Sequence, residues 1–312
     1  MLIGVDIGGT KCAVTLGDDQ GNVIEKIRFQ TTAKDETVKN IAESAKKLKE
    51  KGSVTASGVS CGGPLDEETG VILSPPNLPG WDRVPIKAIL EEALNVPCQV
   101  RNDANACAVA EWKFGAGRGT KNMIFLTFGT GLGAGLILNG RLYAGTNGFA
   151  GELGHIRLAE LGPAGYGKCG SFEGFCSGSG LKELGWMLGR EALQQGLNVP
   201  WAKNGYESVS VAAMAEAARG GDEIAKRVFE LCGENLGKGL AMVIDLLNPE
   251  KIVIGSVYAR CEDLLAPAMN AVLAREALPM ANAVCTVVPA GLGEKIGDAA
   301  ALAVASCVEE QG

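Results

Sequence analysis

The sequence lacks a long apolar run, an excess of positive charge and, apart from one residue, histidine. No segment approaches the roughly 20 consecutive apolar residues that a membrane-spanning helix needs, and Asp6 interrupts the N-terminal apolar run too early for a signal peptide. The formal net charge of −7 argues against a nucleic-acid-binding surface, which needs a basic patch to displace counterions. We therefore expect a cytoplasmic protein without membrane or nucleic-acid partners.

Glycine is abundant instead, with 44 of 312 residues, about twice the usual ~7%. The excess lies in turns and in segments where helices are expected to pack closely, so it does not indicate low complexity. The ten cysteines are scattered through apolar segments, which in a reducing compartment predicts small core residues rather than disulfides. A chain of 312 residues is long enough for two cores.

Two segments repeat one pattern, in which an apolar run, a polar glycine turn and a second apolar run follow each other. The segments are 2–16 and 123–138, and their turns contain Gly8, Gly9, Thr10 and Lys11, and Gly129, Thr130 and Gly131. A turn with Gly and Thr exposes backbone N–H groups and a hydroxyl, which is how proteins hold phosphate. One such turn in each half of the chain predicts a nucleotide held between two lobes.

The first turn is not a P-loop, because the spacing of Gly-x4-Gly-Lys-Ser/Thr is absent and a strand rather than a helix follows. Taken alone, each turn is explained at least as well as a hairpin in which Gly supplies a positive φ. Two observations favour phosphate binding. Asp6 lies on an otherwise apolar strand, where a carboxylate is costly unless it faces Mg²⁺ or a hydrogen-bond donor, and Thr130 lies between two glycines in a match to the first turn.

The first half of the chain has the element order of an α/β domain, with strands first and helices between later strands. Its apolar patterns predict helices over 38–51 and Ile86–Leu94 and a strand over 96–100, and a strand over Lys251–Ile254 is predicted in the second half. The second half opens with the repeated strand pattern, continues through a Gly-rich loop and a mostly helical part, and ends in an alanine-rich helix from Gly297 to Glu309. We expect that helix to return to the first lobe. The predicted small lobe is 1–113 plus 297–312, and the predicted large lobe is 114–296.

Asn102 and Asp103 follow a predicted strand at the start of a predicted helix. Asn and Asp are favoured just before a helix, where they accept its free N–H groups, so capping explains both residues. The alternative is catalytic, because open α/β sheets bind ligands at the carboxyl ends of their strands. An Asp at such a position can accept the proton of a substrate hydroxyl that attacks a phosphoryl group.

Three polar residues of the Gly-rich loop are further candidates: Glu152, Glu173 and His155, the only histidine. A lone His is more often a packing residue than a catalyst, and a loop Glu is more often simply exposed to solvent. A Gly-rich loop nevertheless suits a pocket better than a core. Together with Asn102 and Asp103, these residues could satisfy the hydroxyls of a sugar, because an unpaired hydroxyl in a buried site is costly.

Several motifs together resemble the ROK family (repressors, open reading frames, kinases). Its order and spacing are matched by Asp6-x-Gly8-Gly9-Thr10-Lys11, Asn77-Leu78-x-Gly80-Trp81, Asn102-Asp103-Ala104-Asn105, Gly129-Thr130-Gly131-x-Gly133, Gly151-Glu152-x-Gly154-His155 and Ile252-Val253-Ile254-Gly255. The resemblance covers nearly the whole chain. It implies a two-lobed actin-like ATPase fold of ribonuclease H-like type, with mixed sheets flanked by helices. It also implies transfer of the ATP γ-phosphoryl group to a sugar hydroxyl, usually the 6-hydroxyl of glucose.

The resemblance also implies a role for each matching residue, with ATP and Mg²⁺ as cofactors. Asp103 would be the catalytic base. The sugar would be held by Gly63, Asn77, Asn102, Glu152, His155 and Glu173. The phosphates and the water bound to the metal would be held by Asp6, Gly8, Gly9, Thr10, Lys11, Thr130 and Gly131. Gly255 would border the adenine pocket.

One stretch departs from the family, which usually carries a zinc loop of the form Cys-x-Cys-Gly-x-x-Gly-Cys-x-Glu with a nearby His. The corresponding residues 165–173 keep only Cys169, and Cys176 lies beyond them. Structural zinc needs four ligands, of which Cys169 and His155 supply half. We therefore predict that zinc is absent. If Glu173 matches the Glu that ends the family's motif, this loop is shorter than the family's loop. The assignment of Glu173 to the sugar site depends on that match.

Other functions are compatible with these motifs. N-acetylmannosamine, N-acetylglucosamine, fructose, allose or a β-glucoside could replace glucose as the substrate. A sugar-sensing repressor of the family would carry a helix-turn-helix domain ahead of the first turn, whereas that turn follows Asp6 and the charge is acidic. An actin-like structural or chaperone ATPase would hydrolyse ATP without a sugar. The family resemblance also implies a homodimer or a dimer of dimers.

Overall fold

The computed structural model describes residues 1–308, in which groups of strands are followed by groups of helices. The strands are β1 (Leu2–Ile7), β2 (Lys11–Gly17), β3 (Val23–Gln30), β4 (Ala56–Cys61), β5 (Leu65–Asp66), β6 (Val71–Ile72), β7 (Cys98–Asn102), β8 (Met123–Phe128), β9 (Leu132–Leu138), β10 (Arg141–Leu142), β11 (Ala164–Gly165), β12 (Lys168–Cys169), β13 (Lys251–Ile254) and β14 (Thr286–Pro289). The helices are α1 (Lys34–Lys49), α2 (Ile86–Leu94), α3 (Asp103–Phe114), α4 (Phe172–Phe175), α5 (Gly178–Gln194), α6 (Val211–Arg219), α7 (Glu223–Leu247), α8 (Val257–Glu276), α9 (Pro279–Asn282) and α10 (Ile296–Ser306). The predicted α/β class is confirmed.

The first sheet has the strand order β3-β2-β1-β4-β7. β1 pairs with β2, and β2 with β3, in antiparallel register, whereas β4 lies parallel to both β1 and β7. Parallel neighbours need crossover connections, and here those connections contain α1 and α2. A mixed sheet in this order is the ribonuclease H-like arrangement.

Residues of β1 alternate between two layers of helices, as the period of a strand requires. Val5 packs in one cluster with side chains of α1 and α2. Leu2 faces the other side and packs with Leu302 of α10. That helix lies close to the sheet because Gly4 has no side chain, and a Cβ there would lie 2.9 Å from the Cβ of Ala301. The expected return of the terminal helix to the first sheet is therefore confirmed.

The second sheet has the strand order β10-β9-β8-β13-β14, and β13 and β14 are parallel. Beside it, α7 and α8 pack closely together because α7 contains glycines. A Cβ on Gly237 would lie 2.7 Å from the carbonyl oxygen of Met269, and one on Gly239 would overlap the ring of Phe172. These contacts confirm that the glycines of α7 serve close packing between helices.

The chain divides into two compact units. The first unit contains residues 1–125, 135–150 and those from 291 onward, and the second contains 126–134 and 151–290. The predicted lobes place residues 114–125, 135–150 and 291–296 differently, and the predicted helix end at Glu309 lies outside the described residues. Within residues 1–308, every helix is too short or too polar to cross a bilayer.

Candidate functional site

The first glycine turn belongs to the first unit and joins β1 to β2. Gly8 and Gly9 are not among the residues with a positive φ, so a left-handed conformation is not the reason for glycine here. A Cβ on Gly9 would lie 2.5 Å from the carbonyl oxygen of Asn77. Gly9 therefore allows the loop with Asn77, a predicted sugar residue, to approach the turn. Thr10 and Lys11 are exposed beside them.

Asp6 precedes this turn on the face of β1 that packs on α10. The pKa of Asp6 is raised from 3.8 to about 6, mainly by burial and next by the nearby Asp298 carboxylate. Asp103 raises this pKa further, whereas the positive charges of Lys26 and Lys11 lower it. Asp298 is bound by Lys26, whose Nζ lies 2.6 Å from Oδ2. A buried carboxylate among other carboxylates is the kind of oxygen donor that a hard cation stabilises. Asp6 can therefore supply one carboxylate to Mg²⁺ that a nucleotide carries, with the phosphates supplying further oxygen ligands.

Asn102 and Asp103 lie where β7 ends and α3 begins, and the capping interpretation is confirmed for Asn102. The Ala104 N–H donates to Asn102 Oδ1 at 2.9 Å and to Asp103 Oδ1 at 2.8 Å. Capping uses only the oxygen of the Asn102 amide. A Cβ on Gly63 would lie 3.2 Å from the Nδ2 of that amide, so this glycine leaves room beside the Asn102 side chain.

The loop at Gly62 and Gly63 also reaches Asn77. A Cβ on Gly62 would lie 3.5 Å from the Nδ2 of Asn77, while the Asn77 carbonyl meets the first glycine turn. Asp103 is exposed, as a residue that meets a substrate has to be. The first unit thus brings together its predicted site residues, which are Asp6, Gly8, Gly9, Thr10, Lys11, Gly63, Asn77, Asn102 and Asp103.

Glu67, in the turn between β5 and β6, is a buried carboxylate with an 8% exposed side chain. Its Oε1 accepts from the Asn102 N–H and from Asn105 Nδ2, both at 2.9 Å. Its Oε2 accepts from Arg101 Nη1 at 3.2 Å. These three donors satisfy a charge that would be costly to bury alone, and in the sequence they lie on both sides of Asp103.

The second glycine turn belongs to the second unit and lies against the start of α5. The Gly178 N–H donates to the Gly129 carbonyl at 2.7 Å, and the Ser179 N–H donates to the Thr130 carbonyl at 3.3 Å. The turn borders a cavity of about 650 Å³, a volume within the usual range for ligand sites. Other residues of its wall are Lys182, Ala215, Glu216, Arg219, Ser256 and Arg260.

Gly255 follows β13 at the edge of this cavity, and its N–H donates to the Leu126 carbonyl at 2.9 Å. The next residue, Ser256, lines the cavity. Arg219 also lines it, but two hydrogen bonds of 2.7–2.8 Å to Asp263 already neutralise its charge. Lys182, another cation of the wall, is paired with Glu207 at 3.1 Å. The cavity therefore offers backbone groups and the Ser256 hydroxyl near the start of α5, which suits the phosphates of a nucleotide.

Glu173, in α4, lies against the second turn. The Leu132 N–H donates to Glu173 Oε2 at 2.9 Å, and a Cβ on Gly131 would lie 2.6 Å from the same oxygen. A Cβ on Gly154 would overlap the Leu132 carbonyl. Glycines at these two positions therefore allow Glu173, the turn and the segment 152–155 to lie together.

His155 ends a short 3-10 turn and is half-buried. Its ring lies edge-on to the ring of Tyr166, with centroids 5.1 Å apart, and its carbonyl accepts from Lys168 Nζ at 2.7 Å. Tyr166 is 79% exposed, and Glu152 is exposed as well. The loop that carries Glu152 and His155 is thus held partly by surface side chains.

The residues after His155 do not fit a zinc site. Cys169 is exposed, whereas Cys176 is buried with its Sγ 3.5 Å from the Cys232 carbonyl oxygen. In the described part of the chain, no three His, Cys, Asp or Glu side chains are grouped so that they could hold a metal ion, and structural zinc needs four ligands. The absence of zinc stays a prediction, which metal analysis of the purified protein would test.

The side chains that sequence reasoning missed lie outside the glycine motifs: Lys26, Glu67, Lys182, Ser256, Arg260 and Asp298. Packing of helices and turns, rather than a local pattern, brings them to the site residues. One signal was available, because Asp298 stands in the first turn of an otherwise small and apolar helix. A single carboxylate in such a helix indicates a nearby hydrogen-bond donor or cation that binds it, because an unpaired buried charge is costly.

The profile of the ROK family matches residues 2–307, and the chain belongs to that family. The glucokinase of Halalkalibacterium halodurans is 34% identical over 273 residues, which cover 84% of this chain and 82% of that protein. A ROK family glucokinase from Streptomyces griseus, solved in complex with glucose and AMPPNP, has a TM-score of 0.77 and 30% identity over 100% of this chain and 99% of that one.

Regulators of the same family are also similar. The N-acetylglucosamine repressor of Escherichia coli O6:H1 is 32% identical over 295 residues, which cover 88% of this chain and 68% of that protein. The kinase structures confirm the actin-like ATPase fold. With glucokinases similar over most of their length, the chain is an ATP-dependent sugar kinase.

Proposed function

We propose that the protein transfers the γ-phosphoryl group of ATP to the 6-hydroxyl of a hexose, with glucose as the preferred substrate. The observation that carries the proposal is the placement of Asp103. Its carboxylate is exposed at the carboxyl end of a parallel strand, near Gly63, Asn77 and Asn102 of the same unit. The similar glucokinases support the choice of glucose.

Asp103 acts as the general base in this proposal. As the substrate oxygen attacks the γ-phosphorus, the new oxygen–phosphorus bond forms, the bond to ADP breaks, and the hydroxyl proton moves to the Asp103 carboxylate. The transition state is loose, so the proton leaves late. The hydrogen bonds from the Ala104 N–H hold Asp103 and Asn102 at the start of α3.

The nucleotide occupies the cavity of the second unit in this proposal. Thr130 and Gly131 bind its phosphates, and Gly255 borders the adenosine, because this turn exposes backbone groups and a hydroxyl. For the metal-binding side of the phosphates we propose the residues that the family resemblance assigns, which are Asp6, Gly8, Gly9, Thr10 and Lys11. When bound, Mg²⁺ would supply positive charge against the transferring group, and Asp6 is the carboxylate that would help to hold it.

For sugar binding we propose the residues that the family resemblance assigns, which are Gly63, Asn77, Asn102, Glu152, His155 and Glu173. An imidazole can both donate and accept, and a carboxylate accepts, which suits neighbouring hydroxyls. The Leu132 N–H already occupies Glu173 Oε2 and so orients this side chain. The alternatives to glucose are N-acetylmannosamine, N-acetylglucosamine, fructose, allose and a β-glucoside.

A sugar-sensing regulator is the second candidate, because the N-acetylglucosamine repressor is 32% identical to this chain. A regulator has to bind a sugar but does not have to turn it over. We also carry over a cytoplasmic homodimer or dimer of dimers from the family resemblance. Light scattering of the purified protein would measure the oligomeric state.

An ATP-consumption screen over hexoses, N-acetylhexosamines and glycosides tests the proposed function. We expect ADP release only when a sugar is present, with the highest kcat/KM for glucose. Sugar binding without phosphoryl transfer would support the regulator instead. Hydrolysis of ATP at the same rate with and without sugar would support an actin-like ATPase.

A further inference from the structure

We infer that Glu67 positions the catalytic base, Asp103, without contacting substrate. This inference rests on the proposed function of Asp103. It concerns a turn between two short strands, β5 and β6, that no glycine or phosphate motif includes. The carboxylate of Glu67 binds the chain immediately before and shortly after Asp103, and we expect its loss to lower turnover through that residue alone.

Glu67 is buried, and hydrogen bonds compensate its charge. A carboxylate that is only 8% exposed is costly unless donors satisfy it. Three hydrogen bonds do so, and the one from Arg101 is charged on both sides. Such a cluster fixes the groups that take part in it more tightly than surface contacts do.

Two of the groups that donate hydrogen bonds to Glu67 lie on either side of Asp103 in the chain. The Asn102 N–H belongs to the last residue of β7, and Asn105 lies in the first turn of α3. Asp103 lies between them and occupies the transition from strand to helix. One bond holds the backbone directly before Asp103, and the other holds a side chain of α3 two residues after it. Together they fix the transition from strand to helix on which Asp103 lies.

Asn105 shows that Glu67 imposes this arrangement. Only the Nδ2 end of the amide can bind a carboxylate, because a carboxylate has no proton to donate. With Nδ2 held by Glu67, the Oδ1 of Asn105 is buried and has no hydrogen-bond partner among residues 1–308, which costs free energy. Asn105 is therefore held for its bond to Glu67 rather than for the satisfaction of its own side chain.

The turn with Glu67 follows the loop of Gly62 and Gly63 by only a few residues. That loop lies near Asn77 and Asn102, which the proposed function places on the sugar. Glu67 therefore ties the segment after a sugar-binding loop to the strand end that carries the base. A shift of about 1 Å at a reacting group can cost ~10²-fold in rate, so this tie is expected to matter for turnover.

A double-mutant cycle between Glu67 and Asp103 tests the inference. Glu67→Gln keeps the size of the side chain, removes its charge and replaces one acceptor with a donor. In the wild-type background we expect kcat to fall ~10–100-fold, with the KM for ATP unchanged. In the Asp103→Asn background we expect less than about a two-fold further loss. Glu68→Gln, at the exposed next position, is the control and leaves kcat unchanged in both backgrounds.

A purely structural role predicts another result, because a less well folded enzyme loses the same factor of kcat in both backgrounds. That outcome, or a wild-type kcat in Glu67→Gln, would overturn the inference. If Glu67→Gln does not fold, Glu67→Asp keeps the charge while withdrawing it from its donors, and the same cycle applies. Failure of the proposed function is seen separately: wild type would then phosphorylate no sugar, or Asp103→Asn would keep its turnover.

Discussion

The two groups of predicted site residues are held in different ways. In the first unit, Asp103 stands at the end of a sheet strand, and the buried carboxylate of Glu67 binds the chain on both sides of it. In the second unit, the ring of Tyr166, which is 79% exposed, and the amine of Lys168 are the side chains that hold His155. The first group is fixed from the interior, and the second is held partly from the surface.

This difference matches what the two groups have to do in the proposed function. A general base needs to be within hydrogen-bond reach of the attacking hydroxyl whichever sugar is bound, so a rigid support helps in every case. The loop of Glu152 and His155 selects among hydroxyl patterns, and exposed loops change with little cost in stability. We expect changes around Asp103 to act on kcat and changes in the loop to act on the KM for the sugar.

The largest effect is expected for Asp103→Asn, which should lower kcat by ~10²–10⁴-fold. An amide of the same shape cannot accept the hydroxyl proton, while sugar binding is partly kept because the size of the side chain is unchanged. Steady-state kinetics with saturating ATP measure the loss. Asp35→Asn, in the first turn of α1 with a 93% exposed side chain, is the matched control. Near-wild-type turnover of Asp103→Asn would remove the base from the proposed function.

The site residues of the first unit are also expected to lower the free energy of unfolding, and Asp6 allows this effect to be measured. Its pKa is raised to about 6 from 3.8, first by burial and then by Asp298, so between about pH 4 and 6 the folded protein binds more protons than the unfolded chain. Stability is therefore lost as pH rises through this window. Asp6→Asn removes the loss and is expected to gain about 2–3 kcal/mol at pH 8, with no gain near pH 4.

Urea unfolding of the nucleotide-free protein from pH 4.5 to 8 measures this difference. The gain has to grow with pH, because a gain that is constant with pH would come from packing rather than from ionisation. Asp35→Asn again serves as the control and should show no such trend. The same Asp6→Asn protein is expected to lose activity, since Asp6 holds the metal side of the phosphates in the proposed function. Higher stability with lower turnover is a common trade at active sites.

Sequence reasoning found what local patterns determine. The helix Ile86–Leu94 and the strand Lys251–Ile254 were predicted with their observed bounds, because apolar periodicity and flanking Gly or Pro mark such ends. Boundaries were less accurate where the pattern was weak: α1 begins at Lys34 rather than Val38, and β7 is Cys98–Asn102 rather than 96–100. Pairing within the sheet, which no local pattern encodes, sets the bounds of β7.

The candidate site divides in the same way. Motif residues such as Gly9 were found, but the reason for this glycine, a close approach by Asn77, is a long-range contact. Glu67 and Asp298 carry no motif at all, and tertiary packing alone puts them beside the other site residues. From sequence alone, a polar residue in a short turn such as Glu67 is expected to be exposed to solvent. Its burial becomes visible only in the folded structure.

The smallest effect is expected in the His155 loop, from Lys168→Met. Methionine keeps the aliphatic length but removes the hydrogen bond to the His155 carbonyl, which is worth about 1 kcal/mol and so about five-fold in affinity. We expect the KM for the sugar to rise by about that factor, with kcat and the KM for ATP unchanged. Lys203→Met, at an exposed position of the same unit, is the control.

If Lys168→Met instead lowers kcat as strongly as Glu67→Gln, His155 takes part in the chemical step and its loop is as fixed as the strand end of Asp103. A raised sugar KM alone would leave the loop as the adaptable side of the site, where a different sugar preference can arise without disturbing the base.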